Sequence, residues 1–222
     1  MTNTDGTKPA ESGGDPLKEQ NRLQLWLVFA FNSLFLYAVM RENAIRIEGL
    51  RALFSDAGNL LPAGFALVAS IVLNGLLTNE SKDSLVFLRW KYALPGHRAF
   101  SEHANADPRI DVRALRRLNG SELPTDPTDQ NRLWYSIYLT IQDRPAVRQV
   151  HKSFLLLRDY TGLCSLFVIF YGGVGLYAIP SAKVGCLYLA ILILQFVIVR
   201  HAACNYGISF VKTVLAQKAA SP

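Results

Sequence analysis

The chain has 222 residues, 50% of them hydrophobic and only 18% charged, with 23 Lys and Arg against 17 Asp and Glu and a mean hydropathy of +0.18. That balance excludes a disordered or fibrous chain. Three cysteines without a paired motif exclude a disulfide framework and a Cys-ligated structural metal.

Residues 1–22 are polar and rich in Gly, Pro, Thr and Asp, and they lack the apolar core and small-residue cleavage site of a secretory signal. A disordered cytosolic tail is expected. The first apolar block follows at 23–40, the second at 60–77, the third at 161–179 and the fourth at 184–199, and none of them contains Asp, Glu, Lys, Arg or His. Blocks of this length cross a hydrocarbon core about 30 Å thick at 1.5 Å per residue, whereas runs of about 10–14 residues are the mark of buried core helices. The expected fold is an all-α integral membrane protein of four transmembrane helices in two hairpins, 23–77 and 161–199.

The connector 41–59 places Ile47, Leu50 and Phe54 at helical spacing, which fits an interfacial helix or an extension of the first span. In the second span Ala66, Ser70 and Asn74 lie four apart and give it a small, polar stripe. With Asn32 and Gln195 in other spans, Ser70 and Asn74 form the intramembrane polar set, suited to helix packing or to lining a water-filled path in an assembly of several copies.

Residues 78–160 make one sizeable polar segment, read as a small cytosolic helical module. Leu85, Leu88 and Tyr92 carry the second span's helix on to Leu94, where Pro95 and Gly96 break it. The Asp107–Pro108 pair predicts a helix start, and that helix runs to Asn119 and Gly120. Arg109, Arg113, Arg116 and Arg117 fall on one face of it. Guanidinium groups bind phosphate oxygens in bidentate fashion, so these four, with His97, Arg98 and His103 of the adjoining loop, are the candidate site for an anionic ligand or an anionic lipid surface. Asp126–Pro127 predicts a second helix bearing Trp134, Ile137, Tyr138 and Ile141. A third begins at Ala146 and runs through Phe154 and Leu157 into the third span.

Within the third span Gly172, Gly173 and Gly175 predict close helix packing. Pro180 marks the turn into the fourth span, and 200–222 form a cytosolic C-terminal helix or tail. Four spans put 19 of the 23 Lys and Arg on one side, leaving Arg41, Arg46, Arg51 and Lys183 on the other. The positive-inside rule then makes the termini and the central segment cytosolic and places the chain in a bacterial inner membrane. The net charge of +6 follows from this topology and is no sign of nucleic-acid binding.

No phosphate-binding loop, dinucleotide fingerprint, serine elbow or zinc-protease motif occurs, so neither a catalytic residue, a metal nor a cofactor is expected. His97 and Glu102 have the spacing of the H-x4-D pattern of membrane acyltransferases with the acid changed, which keeps a lipid-headgroup enzyme acting through the 97–107 loop as an alternative. In architecture the chain resembles small bacterial membrane proteins, some of them phage-defence effectors that perturb the membrane on a cytosolic signal. The basic helix, the polar stripe on the second span and the absence of catalytic motifs together lead to the expectation of a homo-oligomer whose basic module senses a ligand or partner and whose spans rearrange or form a leak; a scaffold anchoring a cytosolic partner is the other alternative.

Overall fold

The computed structural model describes residues 21–49, 51, 64, 68, 72, 74–119 and 122–220, and all regular structure among them is helical. Helix α1 (Arg22–Met40) is apolar on every face: Phe29, Leu36 and Tyr37 are buried, while Leu27, Phe31 and Leu34 are exposed. Such a helix suits a lipid environment rather than water. A single turn residue, Arg41, separates it from α2 (Glu42–Glu48), which ends at Gly49 with φ 67, a left-handed conformation that glycine adopts without steric cost.

The second expected span lies largely outside the described residues, as do Leu50, Phe54 and Ser70. Its described positions Gly64, Val68, Val72 and 74–76 are helical. That helix does not continue to Leu94. Thr78 caps a new helix, α3 (Asn79–Phe87), by accepting a bond from the Ser81 amide at 3.2 Å, and α3 ends at Leu88 in the left-handed conformation. A 3-10 turn (Pro95–Arg98) and a π-helical turn (Ala99–His103) follow.

Helix α4 (Val112–Asn119) begins four residues later than the Asp107–Pro108 signal predicts. Asp111 supplies its cap, accepting from the amides of Arg113 at 2.9 Å and Ala114 at 3.0 Å. Asp107 is occupied elsewhere, gripping the Arg109 backbone and side chain. Helix α5 (Pro127–Ile141) starts as expected, with Asp126 accepting from Thr128 and Asp129 and Pro127 in the first turn.

The two longest helices organise everything else. Helix α6 (Pro145–Ala178) runs 34 residues through a π-helical turn at Phe167–Tyr171, and after a turn through Pro180, α7 (Ala182–Ala219) returns for 38 residues, about 57 Å, antiparallel to it. Together with α1 these are three helices long and apolar enough to cross a membrane. The outer halves of α6 and α7 pack with α1 around Leu163, Phe167, Tyr171, Tyr188 and Leu192. Their other halves form a separate core with α3, α4 and α5, to which α7 contributes Ala203, Phe210, Val211, Val214 and Leu215. Of the expected C-terminal helix or tail, residues 200–219 are helix, continuous with the preceding span, and they form a central strut of the module.

Glycine sets the closeness of the outer pair. A Cβ at Gly172 would lie 2.7 Å from Leu189 Cδ1 and one at Gly175 2.7 Å from the Tyr188 ring, whereas Gly173 faces open space. Gly175→Ala is therefore expected to lower the thermal midpoint of the detergent-purified protein and Gly173→Ala to leave it unchanged; equal midpoints for the two variants would refute the packing role of Gly175.

Candidate functional site

Beside the two antiparallel helices the module holds a cavity of about 700 Å³. Helical spacing explains its walls. From α6 come His151, Phe154, Leu155 and Arg158, at offsets of three, four and seven residues; from α7, Gly207, Phe210 and Val211; from α5, Trp134 and Tyr138, with Gln142 just past its end; from α3, Asn79 and Asp83. Each helix offers one face to the same space. The rings pack on one another rather than floating free: Trp134 and Tyr138 each meet Phe210 edge-on at 5.3 Å, and His151 stacks on Phe210 at 4.6 Å while accepting or donating a 3.1 Å bond with the Tyr138 hydroxyl.

Gly207 keeps the cavity wall thin. A Cβ there would come within 2.6 Å of Phe87 Cζ and 2.9 Å of Phe154 Cε2.

Asp83 and Arg158 of the cavity lining belong to a layer of four charges next to the start of the apolar run of α6. Arg158 lies 3.6 Å from Asp83 Oδ1 and 3.5 Å from Asp159 Oδ1, and donates to Asn79 Oδ1 at 3.1 Å. Lys82 Nζ stands 3.3 Å from Asp159, its stem lying over Gly162. Two cations and two anions balance. Arg158 is only 6% exposed and Asp83 7%, so neither is solvated by bulk water.

Burial pushes the Asp83 carboxyl from 3.8 up to about 6; Arg158 pulls it back down, while Asp159 and Glu80 add to the rise. A carboxyl that holds its proton more tightly when folded than when unfolded makes the fold lose stability as pH rises from about 4 to about 6, with no further change above that. Asp83→Asn should remove this part of the pH dependence. Unfolding midpoints of both proteins in detergent at pH 4.5 and pH 7.5 test it, and an identical fall in the two proteins would refute the assignment.

Three polar atoms of residues that line the cavity, Asp83 Oδ1, Arg158 Nε and Trp134 Nε1, are closed to water and make no close hydrogen bond among the described residues, although Asp83 Oδ1 is ion-paired with Arg158 at 3.6 Å. Such atoms are the exception in folded proteins, where buried polar groups are almost always paired.

The residues singled out from sequence lie elsewhere. His97 bonds through Nδ1 to the Pro127 carbonyl at 3.0 Å, and Arg98 holds Glu102 at 3.0 Å, so Glu102 is engaged by Arg98 rather than by His97. His103 is buried, and that burial lowers its pKa. Arg109 precedes α4 instead of sharing its face with Arg113, Arg116 and Arg117. Its guanidinium reaches both Asp107 oxygens, at 3.0 and 2.7 Å, and these bonds hold the Asp107 carboxyl down at about 2. Arg113, Arg116 and Arg117 project into solvent, Arg117 within 3.9 Å of Asp111. The structure therefore does not bring the four arginines and the two histidines into one pocket, and His97–Asp107 forms no metal-holding group among the described residues.

The polar residues of the spans satisfy one another locally. Asn32 donates to the Val28 carbonyl at 2.9 Å, Ser33 meets the Tyr171 hydroxyl at 2.8 Å, and Gln195 donates to Tyr160 at 2.8 Å. Asn74 is half-buried, with Oδ1 unpaired among the described residues.

Sequence reasoning missed the cavity. In sequence, Arg148 and Arg158 count only among the 19 Lys and Arg on one side of the spans, and Trp134, Tyr138 and Phe154 mark only helix faces. The available signal was the recurrence of aromatic and charged residues at offsets of three, four and seven in 134–142 and 151–158, ending on an Arg–Asp pair against a span. No protein-family model matches the chain, and neither a curated protein nor a solved structure matches it.

Proposed function

We propose that the chain is a ligand-responsive membrane protein: four spans in two hairpins carry a cytosolic module whose cavity binds a small molecule, and occupancy rearranges the spans of a homo-oligomer, opening a leak. The observation that carries this reading is the continuity of α6 and α7. The helices that supply most of the cavity's buried wall, through Phe154, Arg158, Gly207 and Phe210, are the same helices whose far halves form the apolar hairpin. A molecule that pushes these faces apart acts on the membrane segments without an intervening loop. The excess of Lys and Arg in the central segment and termini supports placing the module on the cytosolic side of a bacterial inner membrane.

Leu155, buried in the cavity wall, gives a way to imitate occupancy. Leu155→Trp is expected to change the distance between spin labels on the exposed positions Leu27 and Leu194 in liposomes, and to raise ion flux above that of the unmodified protein. Unchanged label distances together with background flux would overturn the coupling.

A further inference from the structure

We propose that the loop 88–92 docks on the anionic lipid surface from which the spans emerge, with Trp90 in the headgroup layer and Arg89 and Lys91 against lipid phosphates. None of these residues lines the cavity, so the inference stands whether or not the cavity takes a ligand.

The backbone holds this loop in an unusual shape. Leu88 at φ 50 and Tyr92 at φ 53 are the two non-glycine residues in the left-handed region among the described residues, and they bracket the loop. That conformation is unfavourable for bulky side chains, and residues kept in it gather at functional surfaces. The Tyr92 end is pinned, its carbonyl accepting from Arg98 Nη1 at 3.3 Å and its ring lying 5.0 Å from that of His97. The loop is therefore a fixed projection of the module.

Its side chains turn outward. Leu88 is 63% and Trp90 95% exposed, and Arg89 and Lys91 are exposed beside them. Large apolar groups left together in water mark an interaction surface, and a tryptophan ring between cations has the chemistry of the membrane boundary. Positions 84–101 contain no Asp or Glu, so the two cations have no acidic neighbour in their own stretch of chain. Their complement is an anionic surface outside the protein.

Position makes that surface the bilayer. Helix α3 packs along α6, with Lys82 over Gly162, Asp83 beside Arg158 and the Phe87 ring 6.2 Å from that of Phe154. Phe154 precedes the apolar run of α6 by about two turns, so Leu88 lies about 10 Å from the hydrocarbon edge. The headgroup layer covers about 5–7 Å of that distance, and long side chains reach across the rest. The separation also falls within a Debye length of about 8–10 Å, where each Lys or Arg strengthens association with an anionic leaflet about fivefold.

The test places the full chain in vesicles of phosphatidylcholine alone and in vesicles with one-third phosphatidylglycerol, and follows Trp90 emission as the difference between the parent and Trp90→Phe. In the anionic vesicles, lipid brominated high on its acyl chains is expected to quench this component, and acrylamide to quench it at least about threefold less than in phosphatidylcholine. Arg89→Gln combined with Lys91→Gln should lower the docked-to-free ratio at least about tenfold and return acrylamide access to the phosphatidylcholine level, with the thermal midpoint unchanged because both side chains are exposed. Equal acrylamide access in the two vesicle types, or protection retained by the double variant, would overturn the proposal. Equal protection that is lost on diluting the protein in lipid would overturn it too, and would assign the loop to a second copy of the chain.

Discussion

Arg158→Ala is expected to destabilise the protein by about 3–5 kcal/mol, the largest effect of any single substitution in the module. The guanidinium stands within 3.6 Å of Asp83 and 3.5 Å of Asp159 and donates to Asn79, at a site almost closed to water. Removing it leaves two buried carboxylates with Lys82 as the nearest cation, and the penalty is the desolvation of an uncompensated charge rather than the lost attraction. The double variant Arg158→Met with Asp83→Leu should recover most of the loss, because Asp159 keeps Lys82 and the vacated pair becomes apolar. Denaturant unfolding in detergent measures both. A single variant within 1 kcal/mol of the parent, a bound set by the size expected for surface pairs, would show that water reaches the layer.

Gly207→Leu is expected to cost about 1–3 kcal/mol. Even a bare Cβ meets Phe87 and Phe154 at 2.6 and 2.9 Å, both rings belonging to the module core, so a leucine must displace Phe154 toward the cavity. Unlike the Arg158 variant, this one leaves every charge paired. Thermal unfolding checks it, and an unchanged midpoint would mean that the rings retreat without disturbing the core.

Apolar block length made α1, α6 and α7 legible, since nothing but a membrane-crossing or deeply buried helix uses 16–19 uncharged residues in a row. Local chemistry made the start of α5 legible too, because Asp126 has no competing partner for its cap. The same Asp–Pro signal failed at Asp107, where Arg109 lies two residues on and takes both carboxylate oxygens, so the cap passes to Asp111. The helix break at Thr78 was hidden because the residues that follow continue a helical pattern. The extension of α7 was hidden for a different reason: Arg200 and His201 look like the interfacial end of a span, yet the helix runs on because its next 18 residues have a core to enter. The cavity was least legible of all. Asp83, Trp134, Arg158 and Phe210 come from four helices spread over more than a hundred residues, and no local pattern announces which faces will meet.

The charge layer beneath the apolar hairpin also has an electrical consequence. With Lys82 and Arg158 against Asp83 and Asp159 its net charge is zero, so no uncompensated charge sits beside the apolar run of α6. Proton uptake by Asp83, whose carboxyl titrates at about 6, leaves the layer with a single positive charge. The same four side chains thus form a set that is neutral while Asp83 is ionised and carries one positive charge once Asp83 is protonated.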